Sequence, residues 1–168
     1  MRSIPLIIAV AAVIAAVAAS ATIASAREAR GTIIFQSKSG PVFVSIGHAY
    51  LVKGPDLVTG KIIRRIVLSS VDVTAALQAC TNMTCSDGGI GEGMTIDLDA
   101  GERINYWAVG NDQRVQHSAT APLESLKLTT NAPNRVAGRW DFDARASGGP
   151  TIKVEFDAAL IKELKTAR

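Results

Sequence analysis

Hydrophobic and polar residues alternate along three successive segments between residues 94 and 119, and this pattern predicts three strands. In the first segment Met94, Ile96 and Leu98 alternate with polar residues, which is the pattern of a strand with one buried face. The second segment, residues 103–109, carries apolar side chains on both faces, so we expect it to be covered on both sides. Turn-forming residues separate the segments, so the strands are expected to follow one another through tight turns.

Similar patterns elsewhere in the chain predict further strands. Gly47 interrupts one apolar run and is expected to mark a bulge or bend. Residues 61–69 are apolar in both parities, which is typical of a central strand. The further strands are predicted over residues 32–35, 42–46, 48–52, 61–69, 123–130, 135–143 and 151–158. The predicted core consists of Ile96, Leu98, Tyr106, Val115, Leu126, Leu128, Val136, Trp140, Phe142, Ile152, Val154 and Phe156.

Helical patterns are confined to two short segments. Residues 72–80 place Val73, Leu77 and other apolar residues on one helical face, and Asp72 is a suitable N-cap. A helix of this length depends on tertiary packing for its stability. The tail, residues 158–168, fits either a short amphipathic helix or an extension of the last strand, and the helix is favoured.

Short strands separated by frequent turns, with no alternation of strands and helices, predict an all-β fold. We expect an antiparallel β-sandwich of immunoglobulin-like architecture, and a closed barrel is the alternative. The chain shows no internal repeat and no linker composition, so residues 27–168 are expected to form a single β-sandwich domain.

The first 26 residues have the pattern of a secretory signal peptide. Arg2 precedes an apolar run over residues 4–19, and Ala24 and Ala26 form a cleavage site of the A-x-A type. An uncleaved anchor is the alternative, because the run approaches the roughly 20 residues that span a bilayer. We expect cleavage after Ala26 and a periplasmic or secreted protein without stable membrane insertion.

The charge of the chain argues against one class of partner. The formal net charge is only +3, and Arg64 and Arg65 are the one adjacent basic pair in the interior of the chain. Proteins that read nucleic acids cluster basic residues on one face and interleave aromatic residues. We therefore expect no nucleic-acid partner.

Two cysteines lie in the predicted exported part of the chain, and an even number in an oxidising compartment predicts a disulfide between Cys80 and Cys85. The alternative is a soft metal site suited to Cu(I), formed by the two thiolates with Met83 and the histidines His48 and His117. Metal binding requires both cysteines to stay reduced, so the disulfide is favoured and no metal or cofactor is expected.

The titratable residues offer little that resembles a catalytic signature. Neither histidine lies in a nucleophile or zinc motif. Four carboxylates share the outward faces of two neighbouring predicted strands, and a glycosidase-like pair is conceivable there: Asp141, Asp143, Glu155 and Asp157. Three basic residues share those faces, which favours ordinary cross-strand ion pairing: Arg135, Arg139 and Lys153. No catalytic residue is assigned.

These observations favour a non-enzymatic binding, adaptor or inhibitor module. Its expected partner is an envelope or extracellular protein, which would bind at strand edges or at the loop end that carries the disulfide. A copper-binding protein is the first alternative function, and an envelope enzyme of a class without recognised motifs is the second.

Overall fold

The computed structural model describes residues 27–168, which are 61% strand and 11% helix. The predicted signal peptide, residues 1–26, lies outside the described residues, and its cleavage stays a prediction. Residues 27–168 form nine strands: β1 Arg27–Ser37, β2 Gly40–Pro55, β3 Ile62–Ser69, β4 Gly93–Leu98, β5 Arg103–Gly110, β6 Val115–Pro122, β7 Leu126–Ala132, β8 Arg135–Asp143 and β9 Thr151–Glu163. They also form two short helices, α1 Thr74–Ala79 and α2 Cys85–Gly88, and two 3₁₀ turns, Leu123–Ser125 and Arg145–Ser147.

The nine strands of the described region belong to one hydrogen-bonded sheet in the order β6-β5-β4-β3-β2-β1-β9-β8-β7. Neighbours in this order are antiparallel, and the sheet curls into a half-barrel. The all-β prediction is therefore confirmed. The sandwich of immunoglobulin-like architecture is not confirmed, because a single continuous sheet provides both walls of the core. The three strands predicted between residues 94 and 119 are β4, β5 and β6, paired in sequence.

The long strand β2 has two halves with different neighbours. Its first half pairs with β1, and its second half pairs with β3. Gly47 does not interrupt β2; the register shift lies opposite it in β1, between Glu28 and Gly31. Gly31 has a φ of +138°, and a Cβ atom there would lie 2.0 Å from the carbonyl oxygen of Lys153. Only glycine fits where β1 approaches β9 so closely.

The concave face of the sheet carries the main core, to which all nine strands contribute. Trp140 on β8 is fully buried there, and its ring meets Tyr106 on β5 edge-on with 5.1 Å between centroids. The Trp140 Nε1–H donates to Ser125 Oγ at 3.0 Å, so its one polar atom is satisfied. The predicted core is confirmed, since all twelve residues lie in this cluster and three of them, Val115, Leu128 and Phe142, pack at its edge.

A second cluster covers the outer face of the central strands. Helix α1, the segment around the disulfide and the C-terminal tail pack there through Leu77, Cys80, Met83 and Leu164, over Val67 and other residues of β2, β3 and β5. Strand β3 and the second half of β2 are therefore buried on both faces, which explains the apolar residues of both parities in residues 61–69. None of the helices in residues 27–168 is long and apolar enough to span a bilayer.

Two predictions about helices need correction. Helix α1 begins at Thr74, so its N-cap residue is Val73 and not Asp72. The Asp72 carboxylate, one residue before the N-cap, accepts a hydrogen bond from the Thr74 N–H at 2.8 Å. The predicted C-terminal helix is wrong, because β9 runs to Glu163. Its last residues form a parallel ladder with β2 from Tyr50 onward. In this ladder the backbone N–H and C=O groups of β9 bond to β2, whereas in a helix they would bond to one another.

Candidate binding site

The cysteines of the sequence analysis lie on the outer face at bonding distance. The sulfur atoms of Cys80 and Cys85 are 2.13 Å apart and their Cα atoms 5.5 Å apart, which fits the predicted disulfide. Met83, between them in sequence, is buried, and its backbone N–H donates to the carbonyl of Thr166 in the C-terminal tail at 3.1 Å. In this form the two sulfurs are not thiolates, and the thioether packs in the outer cluster.

The two histidines lie on opposite faces of the sheet. His48 stacks against Tyr50 on the outer face, with 6.4 Å between ring centroids. His117 packs against Tyr106 on the concave face at 5.7 Å, as its strand parity indicated, and its Nε2 is buried without a hydrogen-bond partner in the described region. The five candidate metal ligands are thus not brought together. Among residues 27–168 no group of three or more His, Cys, Asp or Glu side chains is placed to hold a metal ion.

The four outward carboxylates of β8 and β9 are largely engaged by arginines. Arg135 binds Asp157 through Nε and Nη2, at 2.8 and 2.5 Å. Arg145 binds Asp143 in the same manner, and its side-chain hydrogen bonds hold the pKa of that carboxyl at about 2. Asp143 is therefore ionised at neutral pH and is not a proton donor. The arrangement matches ion pairing on the sheet surface rather than an acid and base pair.

Two adjoining grooves, of about 670 and 610 Å³, cross the outer face of β1, β9, β8 and β7. The helices leave this part of the outer face uncovered. The register of the strands places four charged side chains next to one another on the floor that the two grooves share. Arg139 lies opposite Lys127 on one side and Glu155 on the other, and Glu155 lies opposite Arg30. Adjacent strands are about 4.8 Å apart, so these four side chains form a row across the sheet. We call this row, with Lys153, the basic groove.

Charge is unevenly balanced in the basic groove. Arg30 pairs with Glu155, and Lys127 donates from Nζ to the carbonyl of Glu124 at 2.6 Å. Arg139 and Lys153 are exposed, and neither has an ion-pair partner among residues 27–168. Alternation places these two residues on the correct faces, but the expected ion pairs with neighbouring carboxylates do not form. Arg30 and Lys127 are not among the predicted site residues, because alternation shows that they point outward but their neighbours depend on strand order.

Carboxylates also line both grooves. Glu155 lines both of them, Glu28 and Asp157 line one, and Asp141, opposite Lys153, lines the other. The result is a surface of mixed charge in which Arg139 and Lys153 have no ion-pair partner among residues 27–168. Such a surface can bind an extended anionic group by charge-assisted hydrogen bonds.

Comparisons with family models, with curated proteins and with solved structures found no match to this chain. Function is therefore inferred from the chemistry of the described residues.

Proposed function

We propose that the protein is an exported, non-enzymatic binding module that holds an acidic segment of another envelope or extracellular protein in the basic groove. The observation that carries this proposal is the pair Arg139 and Lys153, two exposed cations without ion-pair partners in residues 27–168, on adjacent strands of a groove of about 610 Å³. Cations in such a position are available to an incoming carboxylate at little desolvation cost.

The mixed charge of the surface favours a polypeptide over a uniform polyanion. Arg139 and Lys153 attract an anion, but Glu28 and Asp141, which also line the grooves, would repel a continuous negative chain. An extended peptide with a short acidic stretch places its carboxylates at Arg139 and Lys153 and leaves its flanks neutral or basic. The two adjoining grooves also provide a continuous track across four strands, which suits an extended chain.

Export is supported by two features of the chain. Cys80 and Cys85 lie at disulfide distance, and disulfides persist in oxidising compartments. The first 26 residues have the pattern of a secretory signal peptide. Together they support a periplasmic or secreted location.

We also propose that the curled sheet is organised as a sandwich of two facing halves. Tyr106 on β5 touches Trp140 and Phe142 on β8 across the core, so the β3–β6 half faces the β7–β9 half. Strand β2 takes part in both halves, and only Leu123–Ser125 separates β6 from β7. Strands that pass between layers in this way are typical of the corners of orthogonal β-packing.

Fluorescence anisotropy with a labelled glutamate-rich peptide tests the binding function. Wild-type protein should bind the peptide, with an affinity that falls as salt is added. The double change R139E/K153E should abolish binding, while K38E/K165E, which makes the same change in net charge at exposed sites outside the groove, should leave it nearly unchanged. Equal effects of the two double changes would overturn the groove as the site. In a pull-down from native envelope extract, the wild type and K38E/K165E should then capture a protein that R139E/K153E does not capture.

A further inference from the structure

The hairpin between β2 and β3 presents apolar side chains to solvent at its tip. Leu57 is 49% exposed, Val58 89% and Ile62 55%. Large apolar side chains this exposed, grouped within six residues of one hairpin, indicate an interaction surface rather than scattered surface residues.

The turn that carries these residues pairs most of its backbone N–H groups internally. The Asp56 carboxylate accepts hydrogen bonds from the Val58 N–H at 3.2 Å and from both the N–H and the hydroxyl of Thr59 at 2.7 Å. The Gly60 N–H donates to the Asp56 carbonyl at 2.9 Å, and the Asp56 N–H donates to the carbonyl of Lys61 at 2.7 Å. These hydrogen bonds hold the pKa of Asp56 below its ordinary value although partial burial opposes this.

The hydrogen bonds within the turn determine whether it can enter an apolar environment. An apolar medium offers no hydrogen bonds, so a loop can enter it cheaply only when its backbone N–H groups are already paired. At this tip the N–H groups of Asp56, Val58, Thr59 and Gly60 are paired within the turn, and that of Lys61 donates to the Thr59 hydroxyl at 3.3 Å. Among residues 56–61 the Leu57 N–H alone lacks a partner, so the tip can leave water with five of its six backbone donors paired.

The shape and charge of the tip favour a lipid surface as the occupant. Val58 protrudes so far that few protein atoms surround it, and a bilayer needs no complementary pocket to receive it. Lys61 lies at the base of the tip, exposed and without an ion-pair partner in the described region, where it would meet anionic headgroups. The one carboxylate of the turn, Asp56, is directed at the N–H groups of Val58 and Thr59 and at the Thr59 hydroxyl. We propose that Leu57 and Val58 insert into the interface of an anionic lipid bilayer, with Lys61 at headgroup level. This reversible docking is independent of the basic groove.

Co-sedimentation with vesicles tests the proposal. Protein expressed as the full chain and purified from the soluble exported fraction is mixed with vesicles of equimolar phosphatidylglycerol and phosphatidylcholine, or of phosphatidylcholine alone. We expect binding to the anionic vesicles, and a loss of about tenfold or more in L57S/V58S, because two apolar anchors are removed. The change K61E should weaken binding to anionic vesicles only.

The matched control is V71S/L123S, which removes two exposed apolar residues elsewhere and should bind as wild type does. All variants should share the wild-type thermal midpoint, since the altered side chains are exposed. Val58→Trp supplies a second readout: its fluorescence should shift to the blue on addition of anionic vesicles, beyond any shift of the wild type. Wild-type protein that does not sediment with anionic vesicles, or equal sedimentation of L57S/V58S, would overturn the proposal. So would capture of a protein through the tip in detergent, without lipid.

Discussion

The guanidinium of Arg65 on β3 donates two hydrogen bonds, of 2.6 and 2.7 Å, to the carboxylate of Asp97, its direct neighbour on β4. Its third nitrogen donates to Asp87 Oδ1 at 2.7 Å, and to the Ser86 hydroxyl and the Met83 carbonyl at 3.2 Å each. One side chain thus fastens α2 and the disulfide segment to the sheet. Burial opposes the charge of Arg65, but the two carboxylates outweigh it and hold its pKa above its ordinary value.

Replacing Arg65 by leucine should cost about 3–5 kcal/mol in the free energy of unfolding, because the change leaves two partly buried carboxylates without their partner. Only 11% of the Arg65 side chain is exposed, so solvent screens the pair weakly. Urea denaturation measures the loss. The control is Arg30→Leu, where 82% of the side chain is exposed and the expected cost is about 0–1 kcal/mol. Similar midpoints for the two variants would contradict the structural role of Arg65.

Trp140→Ala should cost about 3–5 kcal/mol, because the fully buried ring leaves a cavity among Tyr106, Phe142 and the rest of the concave core. The change also leaves the Ser125 hydroxyl without its donor. Phe43→Ala, which removes an exposed aromatic ring, should change stability by about 0.5 kcal/mol or less. A chemical denaturation midpoint for Trp140→Ala close to that of wild type would place the ring outside the core.

How far the sequence predicts this fold depends on whether the signal is local. In β8 and β9 apolar and polar residues alternate because one face of each strand is buried. The local sequence alone therefore predicts Trp140, Ile152, Val154 and Phe156 as core residues. The end of β9 is different: residues 159–163 pair with β2, a strand from the other end of the chain. Nothing within the tail reports this. Helix α2, with four residues, is also too short to show a periodicity.

The same reasoning applies to the basic groove. The outward positions of Arg139 and Lys153 follow from alternation, and both were on the predicted faces. Arg30 stands next to Glu155 only because β1 pairs with β9, across a sequence separation of 125 residues. The arginine that neutralises Glu155 therefore comes from a strand whose place in the sheet the sequence left open. Arg139, on the other side of Glu155, is left without an ion-pair partner in the described region for this reason.

Stability should fall with acid between about pH 4 and pH 2, and Asp72 should contribute to the fall. Hydrogen bonds from Thr74 and from the Tyr50 hydroxyl lower the Asp72 pKa from 3.8 to about 2 in the folded protein. The folded state then binds fewer protons than the unfolded state, so this stabilisation is present above the unfolded pKa and is lost as the pH falls through the folded one. Asp87 acts in the opposite direction, because burial raises its pKa although Arg65 partly offsets this.

The measurement is the urea midpoint of wild type, Asp72→Asn and Asp72→Asn/Asp143→Asn at intervals from pH 5 to pH 2. Asp143 shares the pH window, since its pKa is also about 2. The single change should therefore reduce the acid dependence, and the double change should reduce it further. If neither change alters the slope of the urea midpoint against pH, these hydrogen bonds do not persist in solution.

The disulfide should stabilise one segment rather than the whole sheet. Its loop is closed over a separation of five residues, so replacing Cys80 and Cys85 together by alanine should cost only about 2 kcal/mol. The segment has other anchors: the N–H of Thr84 donates to the Ala167 carbonyl at 3.1 Å, and Arg65 binds Asp87. We therefore expect hydrogen exchange of the double variant to rise in residues 74–90 and in the C-terminal tail, while β4, β5 and β8 keep wild-type protection. Uniformly faster exchange across the strands would instead mean that the whole sheet depends on this one bond.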